Sequence, residues 1–308
     1  MPELLAALTD LAPVDGDAVD APRLPALEAL LARGRRRAAP PDWRRWALRE
    51  LGGEPPPGDL AVGASVAAAA GLPAGGTWLL ATPVHLHATL THLRLHAAGP
   101  LPLDPAAAAA LAARFAAELA EPGVTMHAVG ARLLVHFART LDLVTHDPAP
   151  YAGRDVGPAQ PTGADAGLLR RLSTEIQMWL HGRSAARAEQ LPVNALWLWG
   201  AGTRVPEGLR WPRLEADDPL LESLHARDGR RVDRDDVQLV GWRLASLGEH
   251  GDAFGAADAR WFAPLARELA MRRVTRARVW FAGHEYELTP LTRLRFWTKS
   301  RPWWELAA

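Results

Sequence analysis

Four histidines, His85, His87, His92 and His96, fall within the stretch PVHLHATLTHLRLH. Alternation along a strand puts His85 and His87 on one face, and His92, Arg94 and His96 on one face of the next strand. If the two strands pair with those faces together, three or four imidazoles can surround Zn²⁺. Arg94 sits in the middle of the same row and would repel a cation, and no carboxylate lies nearby in sequence to support the rings. The expectation is therefore a polar, solvated hairpin face with no metal. His85, flanked by Pro83, Val84 and Leu86, is kept as a ligand candidate.

Other chemistry is thinner. VDRDDV (Asp233, Asp235, Asp236) and EADD (Glu215, Asp217, Asp218) carry oxygen ligands suited to Mg²⁺ or Mn²⁺. Both also suit a first helical turn, where carboxylates meet the positive end of the dipole, and that reading is preferred. Ser65 lacks a G-x-S-x-G context and Ser173 falls mid-helix, so no catalytic residue is assigned. In GRDVGPAQPTGAD, the glycines 153, 157 and 163 can turn N–H groups towards an anion, with Arg154 as counter-charge. A plain surface loop is the preferred reading there. PVNALWLWGAG has no lysine for a P-loop and no third glycine opening a helix for a dinucleotide site. NALWLW is apolar on both faces and reads as a central strand of a covered sheet, with Asn194 at its start the residue suited to a ligand.

These groups need elements to position them. RLPALEALLARG and PPDWRRWALRELGG have helical spacing, the second with Asp42 as N-cap. AVGASVAAAAG reads as a short helix, DPAAAAALAARFAAELAEPG as a helix capped by Asp104, and AGLLRRLSTEIQMWLHG as one of about four turns. TWLLATPVHLHA, THLRLHA, VTMHAVGARLLVHF and LDLVTHD read as strands, and RARVWFAGHEYELTP as a hairpin around Ala282-Gly283. The basic and aromatic tail LTRLRFWTKSRPWWEL reads as a strand packed by its aromatics rather than a nucleic-acid surface. Interleaved helices and strands give an α/β or α+β class, and 308 residues allow two domains.

Composition narrows the classes of function. The 35 basic and 35 acidic residues balance, so no overall field steers the chain towards nucleic acid or membrane. With no cysteine, disulfides, thiolate metal sites and cysteine nucleophiles are excluded. The opening residues carry acids and no basic n-region, so no signal peptide is expected, and no apolar run approaches a membrane span. The 13 tryptophans are unusually many, and each one buried needs a partner for its N–H.

Several motifs in order resemble one family. WLLATPVHLHA, GRDVG with PTGADA, EIQMWLH and LPVNALWLWGAG resemble the bacterial RpfE-type regulatory proteins, many of them labelled cofactor-independent phosphoglycerate mutase. The likeness runs over roughly residues 24 to 202, with LPALEALLARG and the RFW tail in keeping at the two ends. That family is in turn similar to archaeal-type mutases of the alkaline-phosphatase superfamily. The resemblance implies an α/β fold: a mutase-like core sheet with helices on both faces over residues 1–76 and 190–308, and an inserted α+β lobe over 77–189.

The resemblance does not imply catalysis. A working mutase of that type needs two divalent metals, a Ser or Thr nucleophile and Asp/His ligands on several strand ends. An Asp-Gly-x-x-Asp opening strand and a paired Asp-Asp with Gly-His are absent, Asp15-Gly16 coming nearest to the first. The family's His-Pro-Val-Asn segment is missing from LHGRSAARAEQLPVN, where Arg183 or Arg187 stands in for the arginine that follows it. The expectation is a cytoplasmic, bacterial, tryptophan-rich pseudoenzyme with a regulatory or partner-binding role, no cofactor, no nucleic acid and no membrane. One alternative is a metal-dependent phosphoryl-transfer enzyme using Mn²⁺, Mg²⁺ or Zn²⁺. His85, Arg154, Asp155, His181, Arg187 and Asn194 would then line its phosphate pocket. Another is a module that binds a small phosphate ester without chemistry.

Overall fold

The computed structural model describes residues 2–9, 11, 22–89, 92–119, 121–181, 191–244, 253–295 and 297–307. The chain runs β1 (Glu3–Leu8), α1 (Pro25–Arg33), β2 (Arg35–Ala38), α2 (Trp43–Glu50), α3 (Val62–Ala69), β3 (Thr77–Val84), β4 (Leu86–Ala88) and β5 (Leu93–Leu95). There follow α4 (Pro105–Glu118), β6 (Val124–Val129), β7 (Arg132–Phe137), α5 (Ala166–His181), β8 (Ala195–Trp199), β9 (Pro212–Glu215), α6 (Pro219–Arg227) and β10 (Arg234–Trp242). The last elements are α7 (Ala253–Ala257), a π turn at Asp258–Phe262, α8 (Ala263–Ala270), β11 (Arg276–Phe281), β12 (His284–Leu288) and α9 (Trp303–Ala307). Among the described residues no helix is long and apolar enough to cross a membrane.

Contacts divide this α/β chain into two compact units. One is Met1–Pro55, Pro206–Leu221 and Arg230–Ala308; the other is Pro56–Val205 and Glu222–Gly229. The sequence-based division grouped 1–76 with 190–308 and set 77–189 apart. In the structure α3 packs on β3 and β8 hydrogen-bonds to β3, so both belong with the second unit.

The first unit is built on a six-stranded sheet in the order β2-β12-β11-β1-β10-β9. The strands β9, β10, β1 and β11 are parallel, and β12 and β2 return antiparallel. The inner residues of β1, Leu5, Ala6 and Ala7, have 0% exposure, as a parallel strand covered on both faces requires. Leu27 and Leu31 of α1, with Leu265 and Leu269 of α8, cover one face against Val279, Tyr286 and Leu288. Glu285 points to the opposite face from Tyr286, and there it accepts from Trp46 Nε1 of α2 at 2.8 Å. Helices therefore lie on both faces of this sheet. The hairpin between β11 and β12 turns at Ala282-Gly283, both at positive φ, as expected.

Two buried carboxylates fix helix starts in this unit. Asp218 accepts from the N–H groups of Leu220 and Leu221, each at 3.1 Å, and from Arg44 Nε at 2.7 Å. Glu28, 1% exposed, accepts from Arg23 and from the backbone N–H of Trp303 at 3.3 Å. The tail is accordingly helical at Trp303–Ala307, not a strand: Trp303 is buried and its Nε1 donates to the Pro22 carbonyl at 3.0 Å. VDRDDV also departs from expectation. Asp235 and Asp236 lie exposed on the first turn-free residues of β10, and Asp233 accepts from Trp211 N at 2.9 Å. The Asp15-Gly16 pair lies outside the described residues.

The second unit holds an antiparallel sheet in the order β6-β7-β3-β8. Phe115 of α4 and Leu169, Leu172 and Ile176 of α5 cover one face, packing with Leu79, Val135, Leu196 and Leu198. The helix α3 packs on β3. The strand β8 stands at the edge of the sheet, not its centre. Its burial comes from α5 over Leu196 and Leu198, and from Tyr151 stacked on Trp197 at 6.0 Å. Both indoles find acceptors: Trp197 Nε1 donates to the His146 carbonyl at 2.7 Å and Trp199 Nε1 to Thr82 Oγ1 at 2.8 Å.

The glycines after β8 have a steric reason. Gly200 has φ +79°, and a Cβ on Gly202 would lie 2.1 Å from the Asp59 carbonyl oxygen. Asp59 Oδ2 accepts from Ala201 N at 3.2 Å, Thr145 N at 3.0 Å and Thr145 Oγ1, and Thr145 Oγ1 accepts from Gly200 N at 2.8 Å. Burial pushes the Asp59 carboxyl above its usual range, against the hydrogen bonds that lower it.

Two substitutions test these locks. Gly202→Ala should cost about 1–3 kcal/mol by overpacking against backbone, whereas Gly167→Ala, whose Cβ meets nothing within 4 Å, should be neutral or stabilising. Asp218→Ala should cost about 3–5 kcal/mol by leaving Arg44 buried without its carboxylate. Asp217→Ala, at a side chain 62% exposed, serves as its control and should stay within about 0.5 kcal/mol. Urea unfolding followed by tryptophan fluorescence reads all four.

Candidate functional site

At His85 the chain leaves β3 and starts β4, and the segment before β8 holds this junction. Asn194 Oδ1 accepts from Leu86 N at 2.7 Å, and its Nδ2 donates to Leu86 O at 2.7 Å. Its own N–H donates to Val84 O at 3.2 Å. Its side chain thus takes the place of one more ladder residue, and both ends of the amide are spent on backbone. Two residues earlier, the Pro192 carbonyl accepts from His85 Nδ1 at 2.8 Å. A carbonyl can only accept, so Nδ1 carries a proton in that bond.

The β4–β5 hairpin pairs Leu86 with Leu95, His87 with Arg94 and Ala88 with Leu93. The loop at 153–156 lies along β5 as a third strand: Gly153 N donates to Leu95 O, Leu95 N to Arg154 O and Val156 N to Leu93 O, at 2.9–3.0 Å. Val84, Leu95, Val156 and Ala195 form the apolar underside, with Tyr151 and Trp197 packed against them. The loop amides are therefore largely used within the fold. Gly153 N serves β5 and Gly157 N donates to Asp155 Oδ1 at 2.9 Å, so neither turns towards an anion. Gly163 is held by shape, since a Cβ there would meet the Asp142 carbonyl at 2.4 Å.

Three imidazoles crowd the hairpin's other face. The ring centroids of His85 and His87 are 6.2 Å apart, His85 and His96 5.9 Å, and His87 and His96 5.9 Å, at interplanar angles of 64°, 88° and 86°. Burial, and then the neighbouring His85 and His87, push the His96 pKa below its usual value, so this ring is neutral at pH 7. Its Nδ1 accepts from Ala98 N at 3.1 Å. Arg94, which sequence spacing places among these rings, sends its guanidinium to the Gly153 carbonyl at 2.6 Å. Asp155 pairs with Arg94 across the outer ladder, and its Oδ2 lies 3.3 Å from His92 Nδ1. A carboxylate distant in sequence thus stands beside the histidine row.

Of the six residues singled out from sequence, His85, Arg154, Asp155 and Asn194 converge on this hairpin and its seam. His181 is the exposed last residue of α5, and Arg187 lies outside the described residues, as does Arg183, the other candidate for its role. His87 and His96 belong to the cluster although sequence reasoning kept only His85. The signal for them was the i, i+2 spacing on two short strands.

No family model matches the chain, and no curated protein matches it. Among solved structures it is similar to a cofactor-independent phosphoglycerate mutase from Thermoplasma acidophilum DSM 1728. That likeness has a TM-score of 0.40 and 16% identity, and covers 94% of this chain and 90% of that one.

Proposed function

We propose that this chain works by binding, in a regulatory or partner-binding role, and not by metal-dependent phosphoryl transfer. The observation that supports this reading is what the described residues place at the carboxyl ends of β1, β10 and β11. In α/β proteins such strand ends are where ligands and catalytic groups gather. Two-metal phosphoryl transfer needs carboxylates and imidazoles on several of those strand ends, plus a nucleophile. Here β1 ends on Leu8, β10 on Trp242 and β11 on Phe281, while β9, at the edge of the sheet, ends on Glu215, which accepts from Gln238 at 2.8 Å. Leu8, Leu11, Trp242, Leu244, Trp261 and Phe262 gather at the ends of β1 and β10. The indoles of Trp242 and Trp261 stack at 5.9 Å and 9°, and Phe262 meets Trp242 edge-on at 5.4 Å. The one acid of the adjoining π turn, Asp258, is spent capping α1 through the N–H groups of Ala26 and Leu27, each at 3.1 Å.

The test is direct. Purified protein with 3-phosphoglycerate and added Mn²⁺, Mg²⁺ or Zn²⁺ should form no 2-phosphoglycerate above the buffer rate. Chelator-sensitive formation of 2-phosphoglycerate would sink the binding-only reading in favour of a phosphoryl-transfer enzyme.

A further inference from the structure

We propose that the outer edge of β2, with the tail segment beside it, docks an acidic peptide of a partner protein, which joins the sheet as a further strand. The inference rests on the partner-binding reading above and names the class of partner. The backbone is the first ground. β2 ends the six-stranded sheet, and all four of its residues are exposed. Its register pairs Arg35 with Glu287 and Arg37 with Glu285, and Ala39 N donates to Gly283 O at 3.1 Å. In an antiparallel ladder that alternation turns the polar backbone groups of Arg35 and Arg37 towards β12, and those of Arg36 and Ala38 outwards. Among the described residues no strand takes the outward groups. An extended peptide can pair along them, the usual way a sheet edge captures a partner.

Charge decides which peptide. Glu287 lies 2.8 Å from both Arg276 and Arg37. The hydrogen bond from Arg276, with the charges of Arg37 and Arg35, holds its carboxyl below the usual range. One carboxylate among three guanidiniums leaves that face with surplus positive charge. On the opposite face Arg36 donates to His284 Nε2 at 2.8 Å. Among the described residues neither Arg35 nor Arg36 has a carboxylate within ion-pair distance. Charged edges keep sheets from adding strands at random. This edge is of one sign, so it rejects basic strands and a second copy of itself. An acidic strand sets carboxylates against Arg35 and Arg37 on one face and Arg36 on the other.

The tail supplies the apolar contact. From Leu288 to Trp304 the chain carries four basic residues and no acid. It meets the start of β2 where Arg295 donates to the Arg33 and Gly34 carbonyls at 3.1 and 3.3 Å. Around that anchor Leu291, Leu294 and Trp297 are 69%, 53% and 66% exposed. Leu291 and Leu294 flank the 3-10 turn Thr292–Leu294 at a spacing of three, which sets them on one side. Tryptophan and arginine are the usual anchors of partner surfaces. An acidic strand with an aromatic residue at one end engages both parts, its acids the β2 arginines and its ring the Leu294–Trp297 side.

The probe is a fluorescein-labelled peptide of alternating glutamate and valine that ends on phenylalanine, read by fluorescence anisotropy with the intact chain at low ionic strength. It should bind, and the same peptide with lysine for glutamate should not. The Arg35→Glu/Arg37→Glu variant should weaken binding by about tenfold or more. Ala38→Pro removes an outward N–H and leaves the pairing with β12, and should weaken it by about tenfold. Arg213→Glu, exposed on β9 at the opposite edge of the sheet, should leave binding unchanged. All three changes are at exposed positions, and far-UV circular dichroism checks that the fold is kept. Failure of the wild-type chain to bind the acidic peptide overturns the proposal, as does undiminished binding by either β2 variant or equal binding of the lysine peptide. Capture by phosphatidylserine vesicles in place of the peptide would assign the surface to a membrane and overturn it too. The 2-phosphoglycerate assay reads none of these changes, so failure of the docking surface and failure of the binding-only reading are distinguishable.

Discussion

Leu86 has both of its backbone polar groups satisfied by a single side chain, that of Asn194. A β-strand that ends must leave its last N–H and C=O groups to water or to some other partner, because leaving them buried and unpaired is costly. Just past the end of β3, at the first residue of β4, that partner is an amide, whose donor and acceptor have the spacing of a peptide group. The consequence is local but decisive. The chain can break from β3 at His85, restart as β4, and still be fixed to the segment that opens β8. Every histidine of the cluster is placed relative to that clamp, His85 directly and His96 through its N–H to the His85 carbonyl.

The first unit shows the opposite use of a strand end. A parallel sheet with helices on both faces leaves its carboxyl edge as a natural crevice, and most folds of this kind put polar chemistry there. Among the described residues, this chain puts aromatic bulk at the ends of β1 and β10 instead. The π turn over Asp258–Phe262 fits that choice, because its extra residue brings Trp261 and Phe262 together against Trp242. A turn of this type often marks a functional site. Here Trp261 and Phe262 are the residues it turns to the strand ends, Arg260 lies exposed, and its one acid, Asp258, caps α1.

What the sequence made legible follows from how local each signal was. Asp42 and Asp104 were readable as caps, and the structure shows Asp42 accepting from Arg44 N at 2.9 Å and Asp104 from Ala107 N at 2.7 Å. The turn at Ala282-Gly283 was equally readable, since the residues that permit positive φ sit between two alternating strands. The strand β1 was not. ELLAAL is composed of good helix formers with no β-branched residue, and only its place between β10 and β11 makes it the middle of the sheet. β8 misled in the opposite direction. Apolar residues on both faces signal two covered faces, but they do not say whether strands lie on both sides, and among the described strands β8 pairs with β3 alone.

At the histidine row, the charge that spacing assigns to the face depends on where one long side chain goes. Spacing fixed which face Arg94 lies on, and on that face a guanidinium argues against any cation. It could not fix the rotamer. The Gly153 carbonyl that takes the guanidinium comes from a loop nearly sixty residues away (|i−j| = 59), and so does the Asp155 carboxylate beside it. One hydrogen bond can redirect a charge on so long a side chain, so spacing places the residue on a face but not its guanidinium. The imidazoles, with two torsions each on a clamped backbone, have no such reach.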